Sequence, residues 1–245
     1  MSVAIRAEAG DWGAVRLEHV EAVAVSAARS LGGLRQDEPL AVVVRVVAGD
    51  APPRALSSLN SAGEFVVEVN VLGPHWAQLA YQFTHEYCHV LANSTTFRPD
   101  RFSWFEEALC ETASLFALRR MALSWSTAAP FPYWRDYAPH LLTYAAERIT
   151  DPTHNLQAEA TVKNWLPGAL PLLERDLGRR AEQAIVANEL LRVFESSPRA
   201  WRAIRSLHDA PRPAQASLEE YLSGWYALAP EADRNAVREI SRALV

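Results

Sequence analysis

The sequence predicts an α+β protein: a small mixed sheet with helices at the N-terminal end, followed by a mostly helical C-terminal lobe. Three observations carry that expectation. Apolar β-branched runs of strand length occur only in the first 71 residues, and from residue 74 onward the apolar positions recur at helical spacing. Of 245 residues, 49% are apolar, which is enough to bury a sizeable core.

The elements follow in order. "SVAIRAE" alternates apolar and polar residues as a strand does, and 14–31 carries Val15, Val20, Val23, Ala24, Ala27 and Leu31 at helical intervals until "GG" stops it. "PLAVVVRVV" (39–47) suits an interior strand, and "EFVVEVNV" (64–71) alternates again after a Pro- and Ser-rich turn. "GPHWAQLAYQFTHEYCHVLAN" reads as a helix with Pro74 at its start, and "RFSWFEEALCETASLFALRRM" as a second one reached through the polar loop "NSTTFRPD". The Pro-rich "STAAPFPYW" (126–134) divides the chain into an expected α/β lobe, 1–125, and an expected helical lobe, 126–245, with a cleft between them. Helical patterns then cover 135–150, 168–195, 198–208, 217–228 and 230–244.

Charge and cysteine usage narrow the function classes. A net charge of −5 from 24 basic and 29 acidic residues, with no long run of either sign, argues against a nucleic-acid or anionic-membrane partner. The N-terminus lacks a basic region followed by an apolar core, and two cysteines are too few for a disulfide framework. A cytoplasmic location is the expectation.

The chemistry concentrates in "HEYCH" (85–89). At about 100° per residue, Trp76, Leu79, Phe83, Tyr87 and Val90 share one stripe, while His85 and His89 fall together on another face. The core of this helix does not need the histidines. Four residues apart, two imidazoles project one turn above the other and can converge on one metal ion. Glu86 lies beside them, where a carboxylate can accept the proton of a water activated by the ion. The bland alternative is a chance helical face.

A catalytic zinc wants three protein ligands and an open position. "SWFEEALCE" (103–111) offers three carboxylates. Ser103 and Glu106 fit a capping box. Glu107 and Glu111 are one turn apart, so if Glu107 binds metal, Glu111 can hydrogen-bond the outer nitrogen of a ligand histidine. Cys88 and Cys110 read as small buried hydrophobes, and His19, His75 and His208 receive no role.

"THEYCHVLA" followed by "WFEEALCE" resembles the gluzincin class of zinc metallopeptidases, which includes thermolysin-like and M1 aminopeptidase-like proteins, and "WFEEA" is similar to the "WLNEG" of M1 aminopeptidases. The likeness covers roughly residues 64–120; the "GAMEN" segment of M1 aminopeptidases has no counterpart, "SAGEF" and "VEVNV" standing upstream. The resemblance implies a zincin-like two-helix site in which His85, His89 and Glu107 bind zinc, Glu86 is the general base and Glu111 supports a ligand. It also implies an oxyanion donor downstream. Tyr137 is the first choice, ahead of Tyr144, with Tyr133, His140 and His154 in the same window. The function expected is a zinc metallopeptidase whose peptide or protein substrate lies as an added strand along the edge of "EFVVEVNV". The competing functions are a catalytically inactive, zinc-stabilised interaction or regulatory protein and a helical scaffold without metal.

Overall fold

The structure is a computed structural model that describes residues 4–32, 40–47, 49–93, 95, 99–157, 160–213 and 215–245. The fold is α+β, with a small mixed sheet and a predominantly helical remainder. Four strands, β1 (Ala4–Ala7), β2 (Ala41–Val46), β3 (Arg54–Ala55) and β4 (Phe65–Val69), lie in the order β1-β2-β4-β3. β1 pairs with β2 and β2 with β4 in parallel, whereas β3 runs antiparallel to β4. Helix α1 (Leu17–Ser30) makes the crossover from β1 to β2, buries Val20, Val23, Ala24 and Ala27, and ends close to the expected "GG". The Leu34–Glu38 stretch and Pro39 lie outside the described residues.

Two residues of β3 alter the expected docking edge. Leu56 N–H donates to Val66 O at 3.0 Å, so β4 is flanked by β2 and β3. The open edge beside the candidate site belongs to β3, a strand of two residues preceded by two prolines and too short to be seen by alternation.

Helix α2 (Trp76–Leu91) begins after Pro74 and buries Trp76, Leu79, Phe83, Tyr87 and Val90, the stripe set by its periodicity. It stops at Asn93, whose φ of 68° is the left-handed conformation that asparagine tolerates better than most residues. Helix α3 (Ser103–Ala128) is longer than its sequence pattern indicated and is buried around most of its circumference between Ser103 and Leu118, whereas Arg120, Leu123 and Ser124 beyond it are exposed. A helix surrounded in this way is the central post of a core. Its apolar positions pack against α1, α2, α4 (Ala138–Ile149) and α6 (Arg180–Ser196).

The stretch expected to separate two lobes is exposed over most of its length but anchors Trp134 in the core. α3 runs through residue 128, and a 3-10 helix, Pro132–Tyr137, places Trp134 5.2 Å from Trp125 and 5.0 Å from Trp76. One cluster of buried apolar side chains continues from Ile5 to Leu244 across the expected boundary. The single long helix expected over 168–195 is two: α5 (Val162–Leu173), with Pro167 and Pro171 inside it, and α6. The pattern at 198–208 is a 3-10 helix, Pro198–Asp209, and it is followed by α7 (Leu218–Leu228) and α8 (Glu231–Leu244). Among the described residues, no helix is long and apolar enough to cross a membrane.

Candidate metal centre

α2 and α3 pack side by side, and their facing surfaces carry the chemistry. The rings of His85 and His89 stand one turn apart with centroids 5.4 Å from each other. Glu107, from the first turns of α3, reaches both: Oε2 lies 3.2 Å from His85 Nε2 and Oε1 lies 3.5 Å from His89 Nε2. A tetrahedral site with bonds of about 2.0–2.2 Å has edges of about 3.3–3.6 Å. Each Glu107 oxygen thus lies about one such edge from one imidazole nitrogen, and donor atoms of the two imidazoles lie within 4.8 Å of each other. Cys110 offers another third donor, its sulfur lying within 4.8 Å of atoms of both imidazoles.

The two candidate third donors sit in different surroundings. Burial and the neighbouring Cys88 push the Cys110 thiol up. Burial also pushes Glu107 up, but the hydrogen bonds from His85 and His89 outweigh it and hold the carboxylate well below its usual range. Burial pushes His89 down, and Glu106 and Glu107 overcome that and raise it. The buried carboxylates of Glu106 and Glu107 thus favour positive charge beside them, and the Arg180 guanidinium 2.6 Å from Glu107 Oε2 supplies one such charge.

The outer nitrogens are also engaged. His89 Nδ1 donates to Glu106 Oε1 at 2.7 Å, and Glu106 Oε2 lies 2.7 Å from His208 Nε2. The capping box expected of Ser103 and Glu106 is not formed. Ser103 Oγ accepts from Asp100 N–H, while Glu106 is 2% exposed and turned inward. Burial pushes its carboxyl up, yet the bonds from His208 and His89 hold it down to about 2. Glu111, expected behind a ligand histidine, has Oε2 4.0 Å from His85 Nδ1 and accepts a hydrogen bond from Tyr81 OH.

Glu86 is 7% exposed and accepts a 2.7 Å hydrogen bond at Oε2 from Ala55 N–H, on the open edge of β3. It faces two adjoining cavities, of about 290 and 210 Å³, which share Pro53, His85, Glu86, Glu107 and Arg180. The larger is completed by Tyr81, Glu111 and His154, among others.

Tyr137 does not reach this site. Its hydroxyl accepts from Ala77 N–H at 3.2 Å, eight residues before His85 and so about 12 Å away along the helix axis. The 3-10 helix that carries it packs on the Trp125 end of α3, away from the carboxylates. Tyr133 and His140 lie with it, on His19 and on the Tyr137 ring. Tyr144 packs against Tyr81 with its hydroxyl held by Arg148, and only His154 of the expected window lines the cavity. His154 Nδ1 donates to Arg148 O at 2.8 Å, which leaves Nε2 as the nitrogen able to face the cavity.

Two site residues had not been singled out. Tyr81 precedes His85 by four, on the same face as both histidines, a signal visible in the pattern. Arg180, the first residue of α6, places Nη1 2.6 Å from Glu107 Oε2 with its side chain 66% exposed. Nothing in the local sequence marks it. Comparisons with protein-family models, curated proteins and solved structures give no match to this chain.

Proposed function

We propose that this protein is a zinc-dependent metallopeptidase of gluzincin type, with His85, His89 and Glu107 as ligands and Glu86 as general base. The observation that supports it most directly is the spacing of the Glu107 oxygens from two imidazole nitrogens at 3.2 and 3.5 Å, with Glu86 on the adjoining cavities. Zinc bound there supplies Lewis acidity, polarising the scissile carbonyl and bringing the acidity of a water toward neutrality. Glu86 takes the water's proton and returns it to the leaving amine, the Ala55 amide fixing one carboxylate oxygen so that the other is aimed. An extended peptide lies along the open edge at β3, where Pro53, Arg54, Ala55 and Ser57 line the smaller cavity. Arg180, always protonated and at the mouth of both cavities, donates to the oxygen that gains charge during attack. That role passes to it from Tyr137.

Glu86→Gln tests this reading: zinc affinity is retained while hydrolysis of a mixed peptide library falls by about 10²–10⁴-fold. Full turnover by that variant refutes the mechanism. One contact favours a second reading, a scaffold that needs no metal: the Arg180 guanidinium already neutralises Glu107 at 2.6 Å. Metal analysis of protein purified without added zinc, beside His85→Ala, separates the two.

A further inference from the structure

His208, a residue of the C-terminal third with no place in the reaction above, is built into the metal centre from behind. It ends the Pro198–Asp209 3-10 helix, its side chain is 7% exposed, and both ring nitrogens are held. Nε2 lies 2.7 Å from Glu106 Oε2, and Nδ1 lies 3.2 Å from the carbonyl oxygen of Asn93, the left-handed residue that ends α2.

The protons can be followed along this chain. An ionised carboxylate only accepts, so His208 Nε2 donates to Glu106 Oε2 at 2.7 Å, the shorter of its two ring contacts. Glu106 Oε1 receives the Nδ1 hydrogen of His89, which leaves His89 Nε2 as the nitrogen able to bind a cation. The second Glu106 oxygen is buried and is satisfied by His208. Without His208 that oxygen has lost its partner inside the core, where an unpaired carboxylate is costly, and it recovers one by rotating. That rotation loosens the acceptor that orients His89.

We infer that His208 is a positioning residue that, through Glu106, locks His89 with its Nε2 toward the cation, so that the C-terminal segment and the α2–α3 pair share one metal centre. The inference rests on the metal-site reading above. It makes zinc affinity depend on a side chain 102 residues from Glu106 in sequence that does not itself touch the ion.

The test uses the full chain and compares wild type, His208→Leu, His208→Gln and His89→Ala. Zinc affinity is measured by competition with a chromophoric chelator, and exchange of the His89 ring N–H by NMR of the zinc-loaded, 15N-histidine-labelled protein. His208→Leu should weaken zinc binding by about 10–100-fold and speed exchange of the His89 ring proton. His208→Gln, which keeps an N–H donor for Glu106, should bind within about threefold of wild type, with the protected proton restored. Wild-type affinity and exchange in His208→Leu overturn the inference. So does a loss of 10-fold or more in His208→Gln, and that arm decides the matter should the leucine variant not fold. If wild type and His89→Ala bind zinc equally, the metal centre itself is refuted and the inference falls with it. A His89-dependent affinity that ignores His208 refutes the inference alone.

Discussion

Replacing Glu107 by glutamine probes the centre most sharply, because Glu107 lies between both imidazoles and the Arg180 guanidinium. Apparent binding energies of about 10–16 kcal/mol for four-ligand structural zinc sites correspond to roughly 3 kcal/mol per ligand, so losing this one should weaken zinc about 100-fold. At free zinc near 100 times the wild-type dissociation constant, binding stabilises the wild type by about 2.7 kcal/mol. With unfolding entropy of about 2.1 cal/mol/K per residue, 245 residues give about 0.5 kcal/mol/K, and the expected rise in Tm on adding zinc is about 5 °C. Glu107→Gln at the same zinc concentration sits near its own dissociation constant, gains about 0.4 kcal/mol and moves by about 1 °C or less. Differential scanning calorimetry with and without zinc reads this directly, since each variant's metal-free Tm is its own baseline. Cys110→Ala should keep the full zinc shift. A full shift in Glu107→Gln refutes the carboxylate ligand, and if Cys110→Ala loses its shift instead, the third ligand is the thiolate.

Arg180→Met should lower kcat by about 10²–10³-fold without weakening zinc binding, as the guanidinium no longer competes for Glu107; unchanged kcat, measured on the best substrate of a peptide library, places the oxyanion donor elsewhere. Tyr137→Phe should leave hydrolysis untouched and cost about 1 kcal/mol in urea unfolding, the worth of its bond from Ala77 N–H. A kinetic defect there would return Tyr137 to the site. The hydrogen bonds from Arg6 and then Asn60 pull the Glu64 carboxyl from 4.5 down to about 2. A depressed carboxylate contributes stability above its unfolded pKa and loses it as pH falls toward the folded one, so urea midpoints should drop between about pH 4.5 and 2 less steeply in Glu64→Gln than in wild type. Equal slopes refute the linkage.

What the chain discloses by itself is local. Histidines four apart share a helix face because 3.6 residues make a turn, and the opposing Trp76, Leu79, Phe83, Tyr87 and Val90 stripe requires that face to point away from the α2 core contacts. The same periodicity placed Glu107 and Glu111 together on the next helix, alternation marked β1 and β4, and a β-branched run marked β2. β3 escaped because two residues beside two prolines carry no alternation and become a strand only by pairing with β4.

The remainder of the site was decided by packing. A capping-box pattern drew Glu106 toward the backbone in the sequence, yet α3 turns that carboxylate into the core, where two imidazoles satisfy both oxygens. Arg180 and His208 reach Glu107 and Glu106 from 73 and 102 residues away, and the 3-10 helix that holds Tyr137 docks at the far end of α2. Spacing along a helix determines which side chains share a direction, since the backbone geometry repeats. Which distant side chains meet them depends on how helices seat against one another, and that comes from burying the whole apolar surface at once, which no short stretch of residues encodes.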